Sequence, residues 1–342
     1  MAQLRTEYKR KNKKRPNKFL RVSLFTLLGV LLLTGSVAAY MIIQAANAVS
    51  SAQTDLERGD RSDFRENIVQ PGSDPISVLF LGLDSRDGDL RGRTDAMVLA
   101  TFNPEDKSIK ILNIPRDSRV EIVGRPGLDK INHAHAFGGL DMTIDTVENL
   151  LDIPVDYFVS LNFDAFMKVI DELGGVEVDV PFTFTEKDNQ TYGTITLHEG
   201  VQTLNGEEAL AYVRMRKSDP RGDLGRGDRQ KEVIEAIIKK TASFSSITRF
   251  NPIMDSLEGN LKTNITFNNI LSMHTFATDL GDIESLSFEG DNLTEGGVYF
   301  YELRPESVRE ISQRLQVHLN IIEAVDAEFE VETDEVEAET EQ

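Results

Sequence analysis

A chain of 342 residues carries 37 Lys and Arg against 57 Asp and Glu, a formal net charge of −20, and contains no cysteine. Without cysteine there are no disulfide staples, no thiolate-held zinc or iron–sulfur centre and no thiol nucleophile, so any chemistry rests on carboxylates, Arg, Lys, His or a hard metal ion. The length leaves room for one large α/β domain with a substantial core.

The first 21 residues hold nine Lys or Arg against the single Glu7, or +8, which leaves −28 for the remainder. No charged residue then occurs from Val22 to Thr54. Val22 to Ile43 is apolar and long enough to cross a hydrocarbon core about 30 Å thick, so a transmembrane helix is expected over residues 22–43. The positive-inside rule places the basic tail, residues 1–21, in the cytoplasm and everything after the helix outside, as a single-pass protein of the cell membrane. Small residues at Ser36–Ala38 and Ala45–Ala48 also fit a signal-peptidase site, but the apolar run exceeds the roughly 7–15 residues usual for a signal peptide, which favours an uncleaved signal-anchor. So acidic an outer domain is a poor partner for nucleic acid, whose phosphates need a basic surface.

Residues 44–75 read as a linker, since Ser50 to Pro75 is polar, interrupted by Gly and Pro and without sustained period. The expected folded domain, residues 76–323, opens with three apolar runs that read as strands, Ile76–Leu83, Ala96–Phe102 and Ser108–Ile114, the last two joined by a turn short enough for an antiparallel hairpin. Helical periodicity follows over Asp141–Leu151, Phe163–Leu173, Gly206–Val213, Asp228–Ala242, Phe267–Leu280 and Pro305–Leu315. Further strands are expected near Asp156–Leu161, Val176–Val180, Gly193–Leu197 and Ile283–Phe288. The interleaving predicts an α/β fold with a central mixed β-sheet and helices on both faces. Residues 324–342 are so rich in like charge that a disordered acidic tail is expected.

The chemically informative residues lie just beyond the ends of these elements. Gly82 to Arg86 follows the first strand, Arg91 to Asp95 precedes the second, and Pro115 to Arg119 ends the third, bringing acids and arginines to neighbouring strand ends, where α/β proteins place ligands. A single surface Arg–Asp pair contributes only about 0–1 kcal/mol and means little; three at successive strand ends carry more. In the segment Ala211 to Gln230, six basic residues stand against three acids, opposite in sign to the rest of the domain. Guanidinium grips phosphate oxygens bidentately and stays charged. Two carboxylates nearby suit Mg²⁺, which takes one or two protein carboxylates and fills the remainder with phosphate and water. These pieces describe a metal–diphosphate site.

The ordered motifs GLDSR, RTDAM, SIKILNIPRDSRVEI, KINHAHAFGG and GEEALAYVRMRKSDPRGDLGRGDRQ resemble the LytR-CpsA-Psr family of bacterial cell-wall proteins, over about Ile76 to Thr241. Membership implies a membrane-anchored phosphotransferase that attaches an anionic glycopolymer, such as wall teichoic acid or capsular polysaccharide, from a polyprenyl diphosphate carrier to peptidoglycan. Carried over by position, Asp84 and Asp95 are implied to hold the Mg²⁺ (or Mn²⁺), and Arg116, Arg214, Arg216, Asp223 and Arg226 to act on the diphosphate. Arg86, Arg93, Lys130, Arg229 and Gln230 are implied to support substrate binding. The resemblance also implies attack by the 6-hydroxyl of a muramic acid residue on the sugar-linked phosphorus, with release of polyprenyl phosphate. His133 and His135 are expected to be structural rather than proton-transfer groups. An apolar wall for the isoprenoid is sought among Val169, Ile170, Leu173, Val233, Ile234, Ile237 and Ile238, positions that suit an ordinary core equally well. Two other functions fit the same residues: a non-enzymatic glycolipid-binding wall regulator, which needs the arginines but not the metal carboxylates, and a polyprenyl diphosphate hydrolase.

The charge asymmetry makes a direct prediction. Protease added to intact protoplasts should remove the large domain and spare the basic tail, whereas a protected domain would overturn the orientation.

Overall fold

The computed structural model describes residues 52–85, 90, 92–189, 193–242, 257, 259–277 and 281–323; the expected cytoplasmic tail, membrane helix and acidic tail lie outside the described residues. Among the described residues no helix is long and apolar enough to cross a membrane. The chain runs through β1 (Ile76–Leu83), β2 (Thr94–Asn103), β3 (Ser108–Asn113), β4 (Arg119–Glu121), β5 (Leu128–Lys130), α1 (His133–Leu151) and β6 (Tyr157–Asn162). It continues through α2 (Phe163–Glu172), β7 (Val176–Val180), β8 (Phe184–Lys187), β9 (Thr194–Leu197), β10 (Gly200–Leu204), α3 (Gly206–Arg214) and α4 (Asp223–Ala242). It ends with β11 (Leu261–Thr263), α5 (Phe267–Ala277), β12 (Ile283–Ser287), β13 (Gly290–Glu295), β14 (Val298–Leu303) and α6 (Pro305–His318).

Six strands form the central sheet in the order β11-β6-β1-β2-β3-β12. β1 pairs with β6 and β3 with β12 in parallel, while β1–β2, β2–β3 and β6–β11 are antiparallel. The mixed sheet and the expected β2–β3 hairpin are both present. In the connecting turn the Asn103 side chain accepts from the backbone of Glu105 at 2.9 Å and Asp106 at 3.1 Å, which closes the loop locally.

Side chains alternate across a strand, so a strand covered on both faces is apolar at nearly every position. In β1, Leu79 and Leu81 join Met97, Leu99 and Leu112 in one core, roofed by Ile144, Val147 and Leu151 of α1 and Ile311 and Leu315 of α6. Ile76 and Val78 face the other way, with Val98, Ala100 and Ile111, and meet Ile234 and Ile238 of α4 and Ile270 of α5. A further core forms between α2, α3, α4 and the β7–β10 and β8–β9 pairs, around Ile170, Val178, Leu204, Tyr212 and Val233.

Two sequence expectations are corrected. Helix α1 begins eight residues before Asp141, and its two parts meet at Gly138 (φ −138°) and Gly139 (φ 69°), non-helical residues that interrupt the apolar period. Within residues 44–75, the described part from Ala52 onward is fastened to the domain and is no free linker. Arg58 Nη1 contacts Glu148 Oε2 of α1 at 2.5 Å and its Nη2 donates to the Val155 carbonyl at 2.6 Å, while Ser62 Oγ donates to Glu148 Oε1 at 2.6 Å. Arg65 forks onto Asp156 at 3.0 and 2.9 Å and also donates to the Pro75 carbonyl at 2.9 Å. A segment held by ion pairs has no apolar period to reveal it. Among the strands that escaped notice, β4, β5 and β11 are only three residues long, whereas β14 is six residues long and largely apolar.

His318, at the end of α6, is 4 % exposed. Its Nδ1 lies 2.7 Å from Thr101 Oγ1 and its Nε2 2.9 Å from Ser108 Oγ, and its carbonyl accepts from Asn103 Nδ2 at 2.9 Å. Burial, aided by Lys110 and opposed by Asp106 and Glu284, pushes its pKa down from 6.5 to about 4. The folded state therefore binds fewer protons than the unfolded one between those values, and stability falls as pH drops through that window.

Two outcomes are expected. Arg65→Ala leaves Asp156 buried without its fork and should cost about 3 kcal/mol in denaturant unfolding. Lowering the pH from 7 to 4 should remove up to about 3 kcal/mol through His318, at 1.36 kcal/mol per pKa unit, and His318→Gln should flatten that slope.

Candidate active site

The site begins with an irregularity in the sheet. Gly82 of β1 pairs with Ala96 and Leu83 with Thr94, so Asp95 is an extra residue opposed by nothing on β1. Such a bulge re-aims a side chain, and Asp95 is turned into a cavity of about 100 Å³ at this end of the sheet. Asp84, the residue after β1, stands exposed at the neighbouring strand end.

The end of β3 supplies the next wall. Beyond Asn113 the chain turns at Pro115, with Ser118 N donating to the Pro115 carbonyl at 2.9 Å. The turn carries Arg116 to Asp95, with Nη1 2.7 Å from Oδ1, and leaves Nε 3.6 Å from Asp117 Oδ2, too far for a hydrogen bond. Lys130 of β5 reaches Asp117 Oδ1 at 2.6 Å.

Helix α4 closes the cavity from above. Asp223, Arg226, Gly227 and Gln230 recur at the spacing of one helical face, and all four line the cavity. Gly227 permits the close packing, because a β-carbon there would lie 2.5 Å from Asn113 Oδ1. One turn on, Asn113 Nδ2 donates to Gln230 Oε1 at 2.9 Å. Asp223 Oδ1 lies 2.9 Å from Arg226 Nη2 and 3.2 Å from Arg216 Nε.

Four cations, Arg116, Lys130, Arg216 and Arg226, thus share three carboxylates, Asp95, Asp117 and Asp223. Burial opposes the charge on Arg116, yet Asp95, Asp117 and Asp223 outweigh it and raise the pKa. Arg226 goes the other way: burial, together with Arg116 and Arg216, outweighs Asp223 and Asp95 and lowers it. The Nε of Arg116 is buried with no hydrogen-bond partner among the described residues. A multivalent anion entering here would relieve the repulsion among the arginines.

The expected site residues separate into three groups. Arg116, Asp95, Asp223, Arg226 and Gln230 line one cavity, and Arg216 and Lys130 are tied to its wall through Asp223 and Asp117. Arg214 and Arg93 are exposed and do not line the cavity; Arg214 donates to Asn189 Oδ1 at 3.2 Å and lies 4.8 Å above the Phe163 ring. Arg229 is a correction. It is 2 % exposed, with Nε on the Tyr212 carbonyl at 3.1 Å, Nη1 on Asp219 at 2.5 Å and Nη2 on the Met215 carbonyl. This buried fork fixes the loop between α3 and α4 and does not face the cavity. Arg86 lies outside the described residues.

His135 Nδ1 sits 2.8 Å from the Gly92 carbonyl and steadies the approach to β2, while burial lowers its pKa; His133 Nδ1 contacts Asp129 Oδ1 at 2.9 Å. Of the apolar positions considered for an isoprenoid wall, Ile170, Val233 and Ile237 pack in one core, Ile234 and Ile238 in another, and Val169 in a third. Sequence reasoning missed Asn292, Tyr299 and Tyr301 of β13 and β14, which also line the cavity. Their signal was the alternation in Val298–Leu303, which puts both tyrosines on one face.

The same architecture occurs in known proteins. The LytR_cpsA_psr family model matches residues 39–317. The polyisoprenyl-teichoic acid–peptidoglycan teichoic acid transferase TagU of Bacillus licheniformis is 41% identical over 313 residues, which cover 91% of this chain and 99% of that protein. TagT of Bacillus subtilis is 42% identical over 319 residues, covering 92% and 98%. A solved structure described as TagT bound to LIIa-WTA superimposes with a TM-score of 0.68 at 43% identity, covering 78% of this chain and 99% of that one. A LytR-CPS2A-psr family protein, YwtF (TagT) with bound octaprenyl pyrophosphate lipid, gives 0.63 at 40% identity, covering 78% and 99%. By motif order, sheet topology and near full-length similarity, this chain belongs to the LytR-CpsA-Psr family.

Proposed function

We propose that this chain is a membrane-anchored phosphotransferase that moves an anionic glycopolymer, in the manner of wall teichoic acid, from a polyprenyl diphosphate carrier to peptidoglycan outside the cell. The observation that carries this reading is the convergence of Arg116, Arg216 and Arg226 with Asp95 and Asp223 at one sheet end. It is supported by relatives named as teichoic acid transferases and by a neighbour described with a polyprenyl pyrophosphate lipid.

The residues assign themselves to steps. Arg116 and Arg226 bind the diphosphate oxygens, and Arg216, held by Asp223, supports them. An acceptor hydroxyl attacks the sugar-linked phosphorus and gives up its proton to a carboxylate of the site or to water; a new P–O bond forms, the bridging P–O bond breaks, and polyprenyl phosphate leaves with the electron pair. Arginines placed in advance stabilise the charge that collects on the bridging and leaving oxygens, and no covalent protein intermediate is required.

Asp84 and Asp95, at adjacent antiparallel strand ends, are the residues that would hold Mg²⁺ or Mn²⁺. Two carboxylates completed by phosphate oxygens are what Mg²⁺ accepts. When bound, the ion would neutralise phosphate charge. Asp95 then has two tasks, since it also holds Arg116 in place.

Two experiments test the proposal. In a purified assay transferring a lipid-linked glycopolymer to peptidoglycan strands, Arg116→Lys and Arg226→Lys should each lower turnover about tenfold or more, because the charge survives but the planar fork is lost. Product that forms without acceptor would point to hydrolysis instead. Chelator and Asp84→Asn should both depress turnover while the melting temperature stays unchanged, and full activity in EDTA would remove the metal from the scheme.

A further inference from the structure

The arginine cluster accounts for phosphate, but one wall of the cavity carries no charge. Asn292 and Tyr299 both face it from the β13–β14 hairpin. They are joined across the strands, with Tyr299 Oη donating to Asn292 Oδ1 at 2.8 Å. The bond leaves the Nδ2 donors of Asn292 for another partner and fixes the half-buried Tyr299 ring.

The hairpin is not free to swing. Tyr301 N donates to the Asp117 carbonyl at 2.9 Å, and Ser118 bridges to Tyr301, so the hairpin is stitched to the turn that presents Arg116. On its outer side Arg119 contacts Glu295 at 2.9 Å and Glu302 at 3.4 Å. Tyr299 also stands near the phosphate machinery, since Asp223 and Asp117, after burial, contribute to raising its pKa. A rigid aromatic ring with a tethered amide, next to an anion-binding cluster, suits a neutral polyhydroxylated ring bonded to a phosphate. The C–H face of a pyranose packs on the negative ring face, and its hydroxyls meet the amide.

We propose that the β13–β14 hairpin is a sugar-binding wall, in which Tyr299 stacks a pyranose ring at the reacting phosphate and Asn292 hydrogen-bonds its hydroxyls. The inference rests on the transferase reading and adds the part of the substrate that the arginines cannot recognise. Two sources supply such a ring: the first sugar of the donor, bonded to the diphosphate, and the sugar of the glycan strand that carries the attacking hydroxyl.

The test uses the full chain in detergent and three ligands: octaprenyl diphosphate without sugar, octaprenyl diphosphate bearing one N-acetylhexosamine, and peptidoglycan glycan strands as acceptor. Tyr299→Ala and Asn292→Ala should leave affinity for the bare diphosphate within about twofold. Loss of about tenfold in donor affinity assigns the wall to the donor sugar, and a comparable rise in acceptor KM at saturating donor assigns it to the acceptor. Tyr299→Phe, which keeps the ring and loses only the hydroxyl, should recover most of the Tyr299→Ala loss. Equal weakening of all three ligands, or no change in any, overturns the inference. Failure of the unmutated protein to bind the bare diphosphate would instead strike the transferase reading itself.

Discussion

The site exists because helix α4 comes close enough to the end of β3 for their side chains to share one cavity. Gly227 helps to allow that approach: a β-carbon there would lie 2.5 Å from Asn113 Oδ1 and displace the amide that holds Gln230. With the helix at that height, Asp223 and Arg226 project from its first turn over the strand ends, and Gln230 one turn later closes onto Asn113. Asp223 sits where the helix dipole favours a carboxylate, and it draws Arg216 across from the preceding loop. That loop is fixed from beneath by Arg229, whose buried fork joins Asp219 and two carbonyls. The arginines that face the ligand thus depend on one that does not.

Much of this was legible in the residues. Apolar runs announced the central strands, the interleaving of strands and helices announced a sheet covered on both faces, and the strand-end motifs announced where the charge would converge. Asp95 and Arg116 were found at strand ends, Asp223 and Arg226 in a segment opposite in sign to its domain, and the family resemblance supplied their roles. Arg229 was placed among them by the same resemblance: charge in a motif marks importance, but burial separates a ligand contact from a brace. Arg214 shows a related limit. It lies two residues from Arg216, yet it ends a helix while Arg216 begins a loop, so the two side chains meet different neighbours. The β13–β14 hairpin was overlooked because only its second strand carries a readable pattern and because nothing local ties it to a turn about 180 residues earlier.

Charge balance gives the cavity its character. Its lining balances Arg116, Arg221 and Arg226 against Asp95, Asp117 and Asp223, and Lys130 and Arg216 behind the wall tip the cluster positive within a domain that is strongly negative. The surroundings would discourage a highly anionic polymer, while the cavity itself rewards a short run of phosphates. Long-range repulsion is screened within about 8 Å at physiological ionic strength. Local contacts, rather than the overall field, then decide what is held.

The segment from Ala52 also has a consequence beyond fastening. Strand β11 is an edge of the central sheet and only three residues long, and it is overlaid by this segment: Gln53 bridges to Thr263, and Thr54 N donates to the Thr263 carbonyl at 2.9 Å. An uncovered edge presents unpaired backbone groups to which a strand from another molecule can add. Residues drawn from just before the first strand therefore serve as a seal, and a chain trimmed to begin at Ile76 would expose an edge prone to self-association.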